Sequence, residues 1–442
     1  MDLSQLDTLC SELALTAKRL KALCDSNSQG SIAVTKEPTI DVLVPPARVE
    51  NLEYEIALAH SSLSGISSRL ETLLAGPASF IQSLATQNQL LACLKWMGEY
   101  QIIAYIPLDD TISLEELANL ADVPEHTLSR VVRMTATAGF LYEPQYGHVA
   151  HTSLSLSFTT ELSYFDAAMF LANKVAPASL DLTSFASEHD GSATSLQSSR
   201  LLDFVSQEPQ TNRQWQAYRQ SMGSMSNQLA YLPNLLNWRS LGDACVVDIC
   251  DNDTSLARDL AQTAPALRLT VQTYDVIPTD AGLSGVGNGD KDLITSERII
   301  IQRRKPTAVQ PVKDAAVYLL HPSFCAANTR GYTADDLIAM ELKAHFGILR
   351  ANPMALLILA PAMLPEPGSV AINVETRVRL LDFTDMHLTG NGAIEVSELY
   401  ELTESISDAR GKLVVKNRVR SADGATIALV VKYQSCEGAE LI

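Results

Sequence analysis

The spacing of apolar residues near the start of the chain predicts two coiled-coil-like helices. In each segment apolar side chains return every three or four residues, which places them on one face of a helix. The first set is Leu3, Leu6, Cys10, Leu13, Ala17, Leu20 and Cys24, and the second is Leu52, Ile56, Ala59, Leu63, Ile66, Leu70 and Leu73. A polar, proline-containing stretch at 25–48 joins them. We expect these helices to pair with each other, across a dimer, or onto the body of the chain.

Residues 80–151 show a different pattern, of short helices followed by a hairpin. Ser113 with Glu116 three residues later is typical of a capping-box helix start. A second helix over 125–138 and a hairpin over 140–151 follow. Helix, turn, helix and wing in this order predict a winged helix-turn-helix domain.

Beyond this region, short apolar runs alternate with helical ones. Strands are predicted at 244–249, 267–272, 298–302, 315–320 and 355–359. Such alternation predicts a mainly parallel sheet with helices on both faces. Two last runs, 413–419 and 426–432, flank Asp423-Gly424, a typical hairpin turn. An α/β sheet that ends in a hairpin is the arrangement of a class I methyltransferase-like, Rossmann-type domain.

Composition narrows the class of protein. The length of 442 residues leaves room for two or three domains. A net charge of -18 argues against a protein that works mainly by neutralising phosphate. The seven cysteines are scattered and include no C-x-x-C pair, which favours a reducing compartment and argues against structural zinc. An acidic start and the lack of a long uncharged apolar stretch predict an intracellular protein, nuclear or cytoplasmic, with no membrane segment.

The first strand-to-helix turn of the predicted sheet contains no glycine. In a doubly wound domain, glycines at this turn let a cofactor approach the backbone closely. The sequence at 246–254 is VVDICDNDT. The turn itself is formed by Cys250, Asp251, Asn252, Asp253 and Thr254. We therefore expect a degenerate cofactor seat, with no cofactor and no metal bound.

Further characteristic segments are LPNLLNWRSL, PALRLTVQ, DAAVYLL and MALLILAPAMLPEPG. With these segments and the features above, roughly residues 80–435 resemble the fungal and plant O-methyltransferase family. The resemblance implies a glycine-rich loop for S-adenosylmethionine, an acid after the second strand for its ribose, and a histidine base after the fourth. This chain has CDNDT at the loop, Thr273 in place of the acid, and Cys325 or Ala326 near the register of the histidine. These three departures from the family pattern therefore predict a catalytically inert fold.

Three segments carry a more specific similarity: QNQLLACLKWMGEYQIIAYIPLDD, VPEHTLSRVVR and GHVAHT. Within that family, they are similar to the methyltransferase-like coactivators of fungal polyketide gene clusters, the aflatoxin co-regulator type. The similarity is most specific over 87–151. It implies a nuclear transcriptional coactivator that works beside a zinc-cluster transcription factor, reaches promoter DNA through that factor, and forms a homodimer. We expect a helical arm at 1–79, the winged helix-turn-helix domain at 80–151, and a degenerate methyltransferase-like domain at 152–442.

The second helix of the winged helix-turn-helix domain is the one that would enter a DNA major groove. The candidate DNA-contacting residues on it are His126, Ser129, Arg130 and Arg133. From residue 84 to residue 151, however, three basic residues stand against eight acidic ones. Because acidic groups repel phosphate, a structural or interface role is favoured over direct base reading, and a DNA contact assisted by the partner stays open.

Several other residues have both a functional and an ordinary interpretation. The glycine-rich loop at 285–289 follows no strand, which favours a surface loop over a cofactor site. His321, at the end of the fourth strand, is a possible base or ligand-orienting residue, and Cys325 a possible nucleophile, but neither has a visible partner motif. Arg303-Arg304-Lys305-Pro306 is either a nuclear-import signal or a solvated turn.

Two other functions remain open at this point. One is an enzyme, such as a pericyclase or isomerase, that uses the old substrate pocket without methyl transfer. The other is a divergent O-methyltransferase with an unusual cofactor loop. Deletion of the gene distinguishes a coactivator, whose loss lowers transcripts of a whole pathway, from an enzyme, whose loss accumulates one intermediate.

Overall fold

Two compact units make up the described part of the chain. The computed structural model describes residues 3–27, 52–182, 208–222, 232, 236–250, 254–274, 298–305, 308–321, 334–389, 392–421 and 426–436. The sheet unit comprises the described residues of Met1–Leu70, Met225–Met386 and Asn391–Ile442, and the helical unit those of Glu71–Ser224 and His387–Gly390. Outside the described residues fall Asp251, Asn252, Asp253, the loop at 285–289, Pro306, Cys325, Ala326 and the hairpin turn Asp423-Gly424. Among the described helices, none is long and apolar enough to cross a membrane.

The two N-terminal helices pair with each other within one chain. They are α1 (Leu3–Asn27) and α2 (Leu52–Leu74). Ion pairs join Arg19 to Glu55 and Arg69 to Glu12. Because the later residue of one helix meets the earlier residue of the other, the helices run antiparallel. Pairing within the chain, one of the arrangements expected from the sequence, is therefore present.

The apolar seam of α1 is rotated from the one that the sequence predicts. The inward-facing residues of α1 are Leu6, Leu9, Leu13, Thr16, Leu20 and Leu23. The predicted seam members Cys10, Ala17 and Cys24 are exposed instead. Leucine has more apolar surface to remove from water than cysteine or alanine, so the face that carries Leu9 and Leu23 is the one that turns inward. On α2 the predicted seam is confirmed from Ile56 to Leu73.

The helical unit contains short helices and a small antiparallel sheet. Its helices are α3 (Pro77–Glu99), α4 (Ile102–Tyr105), α5 (Leu114–Ala121), α6 (Glu125–Ala136), α7 (Ser153–Thr160), α8 (Leu162–Phe170), α9 (Ala176–Leu180) and α10 (Pro209–Ser221), with a π-helical turn, Leu171–Val175, after α8. Its strands are β1 (Ile112–Ser113), β2 (Leu141–Gln145) and β3 (His148–His151), in the order β1-β3-β2. At the predicted start of α5, the Ser113 hydroxyl accepts a hydrogen bond from the Glu116 N–H at 3.1 Å. The predicted hairpin around Gly147 forms β2 and β3.

One apolar core joins α3, α5, α6 and this hairpin. Met97, Leu117, Leu128, Val132 and Val149 meet in it and are all fully buried. Leu128 and Val132 are one helical turn apart on α6, so the spacing in the sequence determines which face of this helix is buried.

A mixed eight-stranded sheet dominates the sheet unit. Its strands are β4 (Cys245–Cys250), β5 (Arg268–Tyr274), β6 (Ile299–Arg304), β7 (Val317–Leu320), β8 (Leu356–Leu359), β11 (Ser407–Asp408), β12 (Gly411–Arg420) and β13 (Ile427–Ser435). Outside this sheet, β9 (Met363–Leu364) and β10 (Ile394–Glu395) form a separate parallel pair. The order is β11-β12-β13-β8-β7-β4-β5-β6, parallel from β6 to β8 and antiparallel from β13 onward. The five predicted parallel strands and the terminal hairpin are confirmed.

The sheet is buried on both faces because its helices cover both. The helices are α11 (Ser255–Thr263), α12 (Ala334–Ala351), α13 (Ile372–Thr389) and α14 (Val396–Ser405), with a 3-10 turn at Trp238–Leu241. Along β4, Val247 and Ile249 face the core that holds α12, while Val246 and Cys250 face the core that holds α11. This explains why β4, apart from Asp248, is a run of apolar residues rather than an alternating strand.

Candidate functional site

The carboxyl ends of β4, β5 and β7 lie side by side, which is where open α/β sheets bind ligands. Cys250 ends β4, and Thr254 directly precedes α11. The strand register pairs Cys250 with Thr273 of β5. On the other side, the His321 N–H donates to the Ile249 carbonyl at 3.1 Å, just beyond β7. Four of the residues singled out from the sequence therefore share one edge of the sheet.

The two described residues of the predicted degenerate seat interact with the protein itself. Cys250 packs in the apolar core together with Leu256 and Ala257 of α11. Thr254 is half-buried, and its hydroxyl accepts a hydrogen bond from the Arg258 guanidinium at 3.2 Å. Both positions therefore carry side chains that take part in local packing.

A buried aspartate–histidine pair lies at the same edge. His321 Nε2 and Asp248 Oδ1 are 2.5 Å apart, and both side chains are almost completely removed from solvent. No partner motif for His321 is visible in the sequence, but the structure places Asp248 beside it. An acid inside an otherwise apolar buried strand was the available signal, since a buried carboxylate requires a bonded partner.

Thr273 is buried near the end of β5, one residue before Tyr274. Asp275 is the next residue along the chain and lies outside the described residues. Whether an acid near this position holds a ribose is therefore not decided by Thr273 alone, and the loss of the acid stays a prediction.

The four candidate DNA-contacting residues lie on α6 with unequal exposure. His126 and Arg130 are exposed and one turn apart, and Ser129 is half-buried. Arg133 is exposed as well, but its guanidinium forms an ion pair with Glu143 of β2. The exposed candidate residues therefore form a narrow strip along α6 rather than a broad, positively charged surface.

Arg133 ties α6 to the hairpin. Its Nε and Nη2 atoms donate to the two carboxylate oxygens of Glu143 at 3.0 and 3.1 Å, and its guanidinium lies 5.1 Å from the ring centre of Tyr146. The hydrogen bonds from Arg133 and then from the Gly147 N–H lower the pKa of Glu143 below its usual range. This geometry gives Arg133 a structural role within the helical unit.

Replacing Arg133 by alanine is expected to cause a small loss of thermal stability, whereas Arg130→Ala on the same helix leaves stability unchanged. Because the folded-state pKa of Glu143 is lowered, its ion pair stabilises the fold above the ordinary carboxyl pKa and is lost as the pH falls through the folded value. The difference between wild type and Arg133→Ala should therefore be present near neutral pH and shrink as the pH falls below the ordinary carboxyl pKa of about 4. Thermal unfolding at a series of pH values measures it; an unchanged difference in acid would contradict the role assigned to the pair.

Both interpretations of residues 303–306, as a nuclear-import signal and as a solvated turn, are wrong for the folded protein, because Arg303 and Arg304 belong to strand β6. Arg304 is buried in β6, and its guanidinium donates to both carboxylate oxygens of Glu341 in α12. An import receptor must bind the basic side chains from solvent, and that of Arg304 cannot be reached. The sequence pattern could not reveal this, because Glu341 lies 37 residues away.

Comparison with solved structures defines the class of fold. The mitomycin 7-O-methyltransferase MmcR aligns with a TM-score of 0.58 and 16% identity, over 81% of this chain and 98% of that protein. A structure described as a pericyclic reaction enzyme aligns with a TM-score of 0.59 and 15% identity, over 85% of this chain and 94% of that one. No protein-family profile matches the chain. The chain is thus a methyltransferase-like α/β protein with a helical N-terminal part.

Relatives at the sequence level narrow the class further. A transcriptional coactivator of Pseudocercospora fijiensis is 41% identical over 358 residues, 79% of this chain and 97% of the relative. The monodictyphenone cluster transcriptional coactivator of Emericella nidulans is 34% identical, over 98% of both chains. The chain therefore belongs to the family of methyltransferase-like transcriptional coactivators of fungal biosynthetic gene clusters.

Proposed function

We propose that this protein is a transcriptional coactivator of a secondary-metabolite gene cluster, that it acts in the nucleus beside a zinc-cluster transcription factor, and that it transfers no methyl group. The observation that carries the proposal is the similarity, along 98% of the chain, to proteins named as cluster transcriptional coactivators. The relative from Emericella nidulans aligns with 98% of this chain at 34% identity, whereas the solved methyltransferase MmcR is 16% identical, so the likeness to the coactivator lies in the sequence as well as in the fold.

The residues at the carboxyl end of β4 do not fit S-adenosylmethionine. A cofactor that lies against the first strand-to-helix turn needs backbone free of side chains, which is why glycine is used there. Cys250 and Thr254 both carry side chains, and both side chains contact the protein itself.

Titration of the full-length protein with S-adenosylmethionine in a calorimeter is expected to give no binding heat. The physical reason is the pair of side chains at the turn, which prevents close approach of the ligand to the backbone. An active O-methyltransferase measured under the same conditions is the control. A micromolar dissociation constant for this chain, which corresponds to about 8 kcal/mol of binding free energy, would overturn the inert assignment.

We further propose that α5, α6, β2 and β3 form a winged helix-turn-helix domain that contacts protein rather than DNA. Acidic residues outnumber basic ones from 84 to 151, and Arg133 is held by Glu143. An acidic surface suits the basic DNA-binding region of a zinc-cluster factor, since opposite charges steer two partners together. On this proposal the arm at 1–79, the winged domain at 80–151 and the degenerate domain at 152–442 act as one homodimeric adaptor.

Co-precipitation of the full-length protein with the zinc-cluster factor encoded in the same gene cluster tests this proposal. We expect retention that weakens with rising salt, because the attraction is between exposed charges. Purified protein alone should not shift the promoter in a gel, whereas it should further retard the complex of the factor with DNA. A shift by the purified protein alone that is lost in Arg130→Ala would instead assign direct DNA binding to α6.

One structural neighbour favours a second candidate function. The likeness to a pericyclic reaction enzyme indicates that this fold also carries chemistry other than methyl transfer. If the chain were such an enzyme, its deletion would leave cluster transcripts intact and one intermediate would accumulate.

A further inference from the structure

A carboxylate, a thiol and an imidazole meet in the interior of the sheet unit. Asp248 and Cys250 alternate along β4 and therefore point to the same face. His321 lies beside Cys250 because its backbone is bonded to Ile249. The ligand atoms of the three side chains all lie within 4.8 Å of one another. In the searched part of the chain, which is the described residues, no other group of three such side chains occurs.

The group is buried and one of its oxygens is unsatisfied. Asp248 is 0%, Cys250 1% and His321 2% exposed. Asp248 Oδ1 bonds His321, but Oδ2 has no hydrogen-bond partner in the part of the chain that the structure describes. A buried carboxylate oxygen without a partner is costly, and native structures satisfy such atoms with water or an ion. Oδ2 is therefore available as a ligand atom for a cation.

We propose that Asp248, Cys250 and His321 bind one Zn²⁺ ion. Thiolate, imidazole and carboxylate are the ordinary ligands of zinc, at about 2.0 to 2.3 Å from the ion. Donor atoms within 4.8 Å of one another can surround an ion at those distances after small side-chain rotations. Calcium and magnesium take oxygen ligands, so the thiolate and imidazole select against them. Three protein ligands leave a fourth coordination position.

The protonation states balance when zinc enters. Cys250 releases its thiol proton and binds as thiolate, and His321 turns the lone pair of Nε2 to the ion while its proton moves to Nδ1. Two negative ligands then neutralise the two charges of the ion, so the buried site is neutral as a whole. The ion would tie the carboxyl ends of β4 and β7 together. This site goes beyond the proposed coactivator function and does not depend on it.

The same residues could in principle form a nucleophilic thiol assisted by a histidine. That arrangement requires a substrate to reach the sulfur, and Cys250 lies in the apolar core against α11. A resident ion needs no such access once it is bound. The burial of the thiol therefore favours zinc.

The test uses the full-length protein, stripped with a chelator, incubated with zinc sulfate alone and desalted. We expect about one zinc per chain by elemental analysis and a rise in Tm with zinc. Cys250→Ser, Asp248→Asn and His321→Asn should each lose the zinc. Cys245→Ser is the matched control, because Cys245 is buried in the same strand but faces the opposite core, and it should keep the zinc.

X-ray absorption of zinc-loaded wild-type protein tests the site without relying on any variant to fold. We expect a single sulfur ligand at about 2.3 Å together with nitrogen and oxygen ligands. Failure of the wild type to retain zinc after desalting, a zinc site without sulfur, or equal retention by wild type and Cys250→Ser would each overturn the proposal.

Discussion

Replacing Glu341 by alanine is expected to lower the free energy of unfolding by about 3 to 5 kcal/mol, because it leaves the charge of Arg304 buried without its partner. The side chain of Arg304 is 4% exposed and that of Glu341 is 0% exposed. Beyond Glu341, the described contacts of the Arg304 guanidinium include only a hydrogen bond from Nη1 to the Ala308 carbonyl at 2.8 Å. One neutral carbonyl does not compensate a buried positive charge.

His345 cannot take over the role of Glu341. Burial lowers the pKa of His345 to about 4, so the ring is neutral near physiological pH. Its Nδ1 donates to the Glu341 carbonyl at 2.7 Å, and its Nε2 lies 3.0 Å from the Gln310 side-chain amide, which donates to it. Both ring nitrogens are therefore already used, as a neutral imidazole requires.

Chemical denaturation of Glu341→Ala and of an exposed control pair measures this effect. Lys412 and Glu404 are 2.7 Å apart with side chains 45% and 48% exposed, and Lys412→Ala should cost at most about 1 kcal/mol. Similar losses of unfolding free energy in the two variants would show that the ion pair between Arg304 and Glu341 stabilises the fold no more than an exposed pair does.

Replacing Gly411 by alanine is expected to destabilise the protein by about 3 kcal/mol. A Cβ atom at Gly411 would collide with the backbone oxygen of Gln434 and with the ring of Tyr433. Backbone cannot rotate away as a flexible side chain can, so the strands β12 and β13 must separate locally. β13 is the strand that joins this hairpin to β8, so the change weakens the pairing of the hairpin with the rest of the sheet.

Gly347→Ala is the matched control and should act in the opposite direction. Gly347 lies exposed inside α12, and a Cβ there meets no atom within 4 Å. Alanine favours the helix, so this change should raise the free energy of unfolding by about 0.5 to 1 kcal/mol. If both glycine variants unfold at the same denaturant concentration, the close approach of β12 and β13 at Gly411 is wrong.

The central parallel strands were predictable because their residues are buried on both faces, and the terminal hairpin because Asp423-Gly424 separates two apolar runs. Continuous apolar runs such as Cys245–Cys250 and Leu356–Leu359 leave few alternatives to a central strand, and the alternation with helices then determines a parallel sheet. The apolar seam of α1 was harder to predict from the sequence. Two overlapping three-four repeats run along that helix, and only packing against α2 decides between them.

The pairs that depend on distant residues could not be predicted. Asp248 and His321 are 73 residues apart, and Arg304 and Glu341 are 37 apart, so each partner becomes visible only when the strands are placed side by side. Asp248 did carry a local signal, as an acid in a buried strand. Arg304 carried a misleading one, because its basic neighbours suggested an exposed import sequence.

The central claim is that the chain regulates a gene cluster rather than catalysing a step in it. Measuring transcripts of every gene in the surrounding cluster, in a strain that lacks this gene and in the same strain with the gene restored, tests it most directly. If the chain is a regulator, transcripts of the biosynthetic genes should fall together in the deletion strain and recover on restoration. Unchanged transcripts with accumulation of a single pathway intermediate would contradict it.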